Sequence, residues 1–244
     1  MCKVSFWYED FKFEETGGSL SLIGYYGNAE KVEIPAYVDG KPVTKICEGA
    51  FENKQLTEVI IPKGITEIGV WAFRNNALTE VAIPDSVTEI GVGAFDGNIL
   101  TKVTIPDSVK RVMWAAFASN SLTEVTIPNS IAEISWNAFR ENNLTEVIIP
   151  DSVNKIGRDA FRGNNLTRVE LPSDVTEIEK EAFGEYTDQI KEDYEKNNRQ
   201  SAIYTWNEEK QEWQNQFKQM LVNRGGGNLD RLVNKNEKDF KITL

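Results

Sequence analysis

Six prolines, Pro62, Pro84, Pro106, Pro128, Pro150 and Pro172, stand 22 residues apart, and few folds accept that interval. The segment ending on each is nearly constant: Leu56-Thr57-Glu58-Val59-Ile60-Ile61-Pro62 returns as Leu78 to Pro84, Leu100 to Pro106, Leu122 to Pro128, Leu144 to Pro150 and Leu166 to Pro172. A second column keeps the same step through Phe51, Phe73, Phe95, Phe117, Phe139, Phe161 and Phe183, each preceded by Ala. Such a period in a frame of Leu, Val and Ile marks a solenoid, whose units bury their apolar faces only by stacking on their neighbours. The middle of the chain therefore reads as a built surface and not as a pocket.

Within each unit, Val59 and Ile61 alternate with Glu58 and Ile60, the period of a strand with one buried face. Stacked copies predict a parallel sheet along one side. Proline closes each strand because it has no N–H for the ladder. Past the turn, Ile65, Ile68, Ala72 and Phe73 are expected to return to the core. Gly69, Gly91 and Gly157 among β-branched neighbours predict short strands or 3₁₀ turns there, not full helices. Asn76, Asn98, Asn120, Asn142 and Asn164 precede the strands; an amide stacked at each bend can satisfy backbone groups that the bend leaves unpaired. Asp85, Asp107, Asn129 and Asp151 open turns, each followed by Ser, and are read as backbone caps before calcium ligands.

Four segments follow: an N-terminal β cap over 1–46, the repeats over 47–184, a C-terminal cap over 185–213, and a tail or appendage over 214–244. In the first, Val4 to Phe13 reads as strand, and the alternation around Thr16-Gly17-Gly18-Ser19 predicts a hairpin. Lys31 to Pro35 imitates a repeat strand, and Asp39-Gly40 marks a turn. In the third, Ile190 to Arg199 is helix-compatible, and Ser201 to Trp206 with Glu212-Trp213 predicts a second hairpin. Gln214 to Asn223 has an amphipathic helical pattern, and Gly225-Gly226-Gly227 a flexible joint.

Lys and Arg total 27 against 38 Asp and Glu, a formal charge of −11, which repels phosphate backbones and speaks against a nucleic-acid partner. No apolar run approaches the roughly 20 residues a membrane span needs. The opening Met1 to Trp7 shows no signal-peptide pattern. The chain has no histidine, which removes Ser-His-Asp and Cys-His sites and histidine metal sites together. Carboxylates abound, but Glu58, Glu80, Glu124 and Glu146 share one exposed column, and nothing singles out a catalytic acid pair. No catalytic residue, metal or cofactor is predicted, and the chain is not expected to be an enzyme.

Departures from the repeat say more than its regular positions. Trp114 and Trp136 hold the place of Val70, Val92, Arg158 and Lys180, and Trp71 stands one residue along. Either each indole covers the seam between coils, or the three contact a partner, since Trp is enriched at binding hot spots. The strand face is the second candidate: Ile60, Ala82, Thr104, Thr126 and Ile148 run down its middle, beside Glu58, Glu80, Lys102, Glu124 and Glu146. A concave, mostly acidic face with a small apolar centre would suit a basic or extended protein segment.

The unit running from Leu78 to Phe95, with Ile-Pro-x-Ser-Val, Ile-Gly-x-x-Ala-Phe and the strand recurring together, closely resembles the BspA-like, or Treponema pallidum type, leucine-rich repeats. The resemblance covers about three quarters of the chain; Ile34-Pro35 with Gly40 to Ile46, and Tyr204 to Trp213, also look like segments flanking such arrays. It implies an α/β leucine-rich-repeat solenoid, mostly β, with short 3₁₀ or irregular convex segments. It also implies a module of a bacterial surface or secreted protein that binds a protein partner and serves adhesion; the chain is expected to be a monomer. The alternative is a structural spacer or scaffold displaying another domain. Cys47 occupies the slot of Gly69, Gly91 and Gly157, while Cys2, after Met1, invites reading as the lipid-bearing first residue of a mature lipoprotein.

Overall fold

A single turn of this chain has apolar side chains but no second layer to cover them, so burial comes only from the turns on either side. The computed structural model, which describes residues 4–207, 210 and 212–215, is accordingly a β-solenoid of about seven turns with one short helix. Cys2, the stretch 216–223 and the Gly225-Gly226-Gly227 joint lie outside the described residues.

The strands are, in order, β1 (Val4–Tyr8), β2 (Phe11–Thr16), β3 (Ser19–Tyr25), β4 (Lys31–Glu33), β5 (Tyr37–Val38) and β6 (Lys41–Ile46) in the N-terminal part. The repeats supply β7 (Glu58–Ile60), β8 (Glu67–Ile68), β9 (Glu89–Ile90), β10 (Lys102–Thr104), β11 (Arg111–Val112), β12 (Glu124–Thr126), β13 (Glu133–Ile134), β14 (Glu146–Ile148), β15 (Lys155–Ile156), β16 (Arg168–Leu171) and β17 (Glu177–Ile178). Helix α1 (Thr187–Lys196) and the hairpin of β18 (Ala202–Asn207) and β19 (Glu212–Asn215) follow. Val4 to Phe13 is not one strand: Glu9, at φ 51°, turns the chain so that β1 pairs antiparallel with β2.

Strands stand on both sides of the coils, except over 80–82, where only the second side carries one; the sequence predicted a sheet on one side and short strands or 3₁₀ turns on the other, and the short strands form a second ladder. The side bearing the Pro-terminated strands is discontinuous: β4 pairs β7, β10 pairs β12, and β14 leads through β16 to β18 and β19. The second side runs from β3 through β6, β8 and β9 to β11, then resumes as β13, β15 and β17. The residue after each second-side strand explains that interruption. A Cβ on Gly91 would lie 2.6 Å from the Gly69 carbonyl carbon, and one on Gly69 would lie 2.8 Å from that of Cys47, so successive backbones approach too closely for two side chains. The ladder is intact wherever one of two stacked residues is Gly69, Gly91 or Gly157. It opens only where Met113 meets Ser135, and there the Ser135 hydroxyl donates to the Val112 carbonyl at 2.7 Å.

The core is a column of phenylalanine rings. Phe51 and Phe73 stack with centroids 5.1 Å apart and 11° between planes, and the succession continues to Phe161 and Phe183 at 5.7 Å. The widest step, 5.8 Å, is Phe117 to Phe139, in the same pair of coils as Met113 and Ser135. Tyr25 adds a ring beside Phe51 at 5.4 Å, joining the N-terminal sheet to the array.

The asparagine column works as expected. Asn98 Oδ1 accepts from the Leu78 amide at 3.1 Å, while Nδ2 donates to the Phe73 and Phe95 carbonyls at 2.9 and 3.1 Å, so one amide ties two coils. Asn142 does the same for Leu122, Phe117 and Phe139. Replacing Asn142 by Ala leaves three inner backbone groups without these partners. At about 1–3 kcal/mol for each unsatisfied buried group, partial rehydration leaves an expected loss of about 2–4 kcal/mol, read from the midpoint of urea unfolding; an unshifted midpoint would contradict the role. The last coil has Tyr186 in place of Asn, and Thr187 Oγ1 accepts from the Phe183 amide at 2.8 Å and donates to the Gly184 carbonyl at 2.7 Å.

The turns after proline correct one expectation. Serine, not Asp or Asn, makes the cap: Ser86 Oγ accepts from the Gly64 amide at 3.1 Å and donates to the Ile65 carbonyl at 2.6 Å, and Ser152 Oγ donates to the Ile131 carbonyl at 2.7 Å. Each bond reaches back one coil, which a side chain one residue earlier, pointing to solvent, does not. Asp85, Asp107 and Asp151 are left exposed.

Candidate binding faces

The strand face places Glu58, Glu80, Lys102, Glu124 and Glu146 in one outward column, because alternate residues of short strands point away from the core. The coils in register bring opposite charges together. Lys31 Nζ lies 2.8 Å from Glu58, Lys102 Nζ 2.6 Å from Glu124, and Arg168 pairs with Glu146. The hydrogen bond and charge of Glu58 raise the Lys31 ammonium above its ordinary pKa. The face is thus more neutral than its glutamates suggest, and Glu80 is the member of the column without an ion-pair partner among the described residues. In the middle column, Ile60 and Ile148 are about half exposed, separated by the exposed Ala82, Thr104 and Thr126.

Beside Glu80 the face opens. No ladder joins residues 80–82 to β7 or to β10, and Val81 is only half-buried while Val59 and Val103 in the same column are buried. A groove of about 840 Å³ lies over this point, with Val81, Ile83 and Ile105 among its apolar walls and Glu80, Asp85 and Asp107 among its polar ones. One residue signals it: Ala82 stands where the other coils carry Ile, Thr or Glu, and Ala is depleted in strands.

The tryptophans occupy the turn after the second-side strand, so they lie on another side of the coil from the Glu58 and Ile60 columns and form no single site with them. Their exposures are 38% for Trp71, 49% for Trp114 and 46% for Trp136. Trp71 is held at φ 54°, a left-handed backbone that Gly49 and Gly93 adopt in neighbouring coils. Its indole lies against the next coil, where a Cβ on Gly93 would come within 2.8 Å of Trp71 Cδ1. Trp136 covers Gly157 in the same manner at 2.7 Å. Trp114 and Trp136 meet edge to face with centroids 5.9 Å apart, across the seam of Met113 and Ser135.

Glu179 anchors this ridge from below. Burial pushes its carboxyl pKa up, but Lys155 at 2.7 Å, the Arg158 amide at 3.0 Å and the Trp136 indole together hold it below the ordinary value. A second aromatic cluster escaped the sequence reading. Trp7 and Tyr26, both more than half exposed, meet at 4.8 Å on the N-terminal part, with Lys12 over one ring and Lys54 over the other; Trp7 lies on β1 and Tyr26 directly follows β3.

Among the described residues no group of three or more His, Cys, Asp or Glu is placed to hold a metal ion, and no helix is long and apolar enough to cross a membrane.

A model of the BspA type leucine rich repeat region, in six copies, matches residues 44–164 and 115–203. The chain belongs to the BspA-type leucine-rich repeat family. Solved structures share the solenoid. One is a leucine rich cell surface protein from Faecalibacterium prausnitzii A2-165, 24% identical with a TM-score of 0.52, covering 86% of this chain and 60% of its own. Another is the pneumococcal vaccine antigen PcpA, 20% identical with a TM-score of 0.57, covering 72% of this chain and 50% of its own. The leucine rich repeat protein of T. pallidum is 24% identical, covering 72% of this chain and 81% of its own, with a TM-score of 0.48. The chain thus spans about three fifths of the length of the first and half that of the second. No curated protein shows significant similarity to it. BspA-type repeat proteins are typically found at the cell surface, and their repeats serve as protein-binding or scaffold modules.

Proposed function

We propose that this chain is a non-enzymatic protein-binding module of a bacterial surface or secreted protein, used in adhesion to host or bacterial proteins and active as a monomer. The observation that carries the reading is the set of Trp71, Trp114 and Trp136, each partly exposed, with Trp71 and Trp136 packed on the next coil and Trp114 against Trp136. Large aromatic surface held rigid and half exposed is what hot spots use, because little side-chain entropy remains to be lost on binding. The cell-surface description of the Faecalibacterium prausnitzii protein supports the location.

A spacer or scaffold is the second reading, favoured by the position of Trp114 and Trp136 over the opened seam. The two readings part in one experiment. The double variant Trp114→Ser, Trp136→Ser is compared with wild type for saturable binding to surface-protein extracts and for its urea midpoint. Recognition through the ridge predicts about a tenfold or greater loss of affinity at a nearly unchanged midpoint. A lowered midpoint with binding intact, or no saturable partner for wild type, would leave the indoles as seam covers and favour the scaffold.

A further inference from the structure

Trp114 and Trp136 are followed in the same repeat position by Arg158 and Lys180, so one outward column passes from two indoles to two cations over four successive coils. The indoles are about half exposed and rest on each other. Trp136 also lies on Gly157, the residue before Arg158, which makes the apolar and basic parts continuous. Val70 and Val92, half-buried, extend the apolar end.

The basic end shows positive charge to solvent although the chain carries −11. Among the described residues, Arg158, Arg162 and Lys180 share two carboxylates, those of Asp159 and Glu181. Three of the four contacts are 3.4–3.5 Å long, and only Arg162 to Glu181, at 2.9 Å, is close. Exposure separates the signs: the side chains of Arg158 and Lys180 are 57% and 72% exposed, those of Asp159 and Glu181 only 13% and 31%. The acids are tucked under the cation heads. Loose pairs of this kind at the surface contribute little, so the outward donors of Arg158 and Lys180 are free to take a carboxylate from outside. The exposed Glu185 and Asp188 follow the last coil and end the basic stretch.

Coil spacing selects the form of the occupant. Through these four coils the Phe column advances 5.8, 5.5 and 5.7 Å per step, and one turn of α-helix advances about 5.4 Å. A helix lying along the column therefore sets one side chain of a single face on each of the four residues. Same-face residues of an extended strand advance about 6.8 Å and fall out of step within two coils.

Resting on the protein-binding reading above, we propose that the column of Trp114, Trp136, Arg158 and Lys180 docks an amphipathic helix of a partner protein. Its contact face carries apolar residues over the two indoles and carboxylates over the two cations. The indoles supply the anchor, and the cations fix which end of the helix lies where.

The test uses the full chain and a fluorescein-labelled helical peptide with two Leu and then two Glu at successive turns of one face, followed by anisotropy at moderate salt. Two further peptides serve as comparisons, one with Lys in place of Glu and one with the two Glu moved to the opposite face. The first peptide is expected to saturate, the Lys peptide not to bind, and the third to bind at least about tenfold more weakly. The variant Arg158→Gln, Lys180→Gln and the variant Trp114→Ser, Trp136→Ser are each expected to lose at least about tenfold in affinity. The charge-matched variant Lys31→Gln, Lys102→Gln, altered at exposed residues of the strand face, is expected to bind within about twofold of wild type. Equal weakening of both charge variants, or equal binding of the peptide with displaced Glu, would overturn the proposal and leave only diffuse attraction. Binding that needs the indoles but ignores Arg158 and Lys180 would overturn it in favour of an apolar contact alone. No saturation with any peptide, while an extract partner still depends on Trp114 and Trp136, would sink the helix and leave the binding module standing.

Discussion

Phe117→Ala is expected to destabilise the protein by about 3–5 kcal/mol, the range for truncating a fully buried aromatic ring. Phe117 is 0% exposed and stacks on Phe95 at 5.4 Å and on Phe139 at 5.8 Å. In a globular domain neighbouring layers relax into such a cavity. Here the coils above and below are fixed by their own ladders and by Asn120 and Asn142, both of which bond to the Phe117 carbonyl, so little collapse is possible. The cavity would also open beside the interrupted second-side ladder, where Met113 and Ser135 already hold the coils apart. Urea unfolding followed by tryptophan fluorescence measures the effect. A cost under about 1 kcal/mol would mean that the site collapses easily and that the coils are not rigidly spaced.

Removing residues 186–244 is expected to convert a monodisperse protein into an aggregating one. Strand β16 is the last parallel strand of its sheet, and β18 covers its edge from Arg168 to Leu171. Ile190 and Tyr194 of α1 are buried over the end of the array, and the Tyr194 hydroxyl donates to the Pro172 carbonyl. Loss of these pieces exposes a row of unpaired strand groups together with Val169, Leu171 and Phe183, the combination that pairs with other chains. Loss of 228–244 alone touches none of these contacts and should leave a soluble monomer. Size-exclusion chromatography with light scattering distinguishes the cases. A monodisperse, fully folded 1–185 fragment would show that the tail does not cap the array.

The parts of this fold legible in the sequence are those that repeat. A residue type that returns every 22 positions reports its environment as many times as there are coils, which is why the Phe stack, the Asn ladder and the short strands followed from the columns alone. The hairpins of the N-terminal cap were readable for another reason, since Thr16-Gly17-Gly18-Ser19 and Asp39-Gly40 carry turn chemistry locally. What escaped depends on pairs of residues in different coils. The second sheet rests on two-residue strands such as Glu67–Ile68, too short to show alternation. Its break depends on Met113 facing Ser135, and neither residue signals a break by itself. The ion pairs that neutralise much of the strand face arise in the same way, from Lys102 standing over Glu124 and Lys31 over Glu58. The tryptophans were visible as departures, but only the structure separates their side of the coil from the Glu58 column.

The glycine slot also sets rules for how such an array can gain or lose units. A coil is a cassette of fixed length, and duplication or deletion of one cassette brings two previously separate slots together. Loss of the coil carrying Gly91 would set Gly69 against Met113, a pairing with one glycine that keeps the ladder closed. Loss of the coil carrying Gly157 would instead set Ser135 against Glu179 and open a second seam at the last step of the array, next to the first. Shuffling of cassettes is therefore constrained by neighbour compatibility at a single position, while the outward columns remain free to diversify.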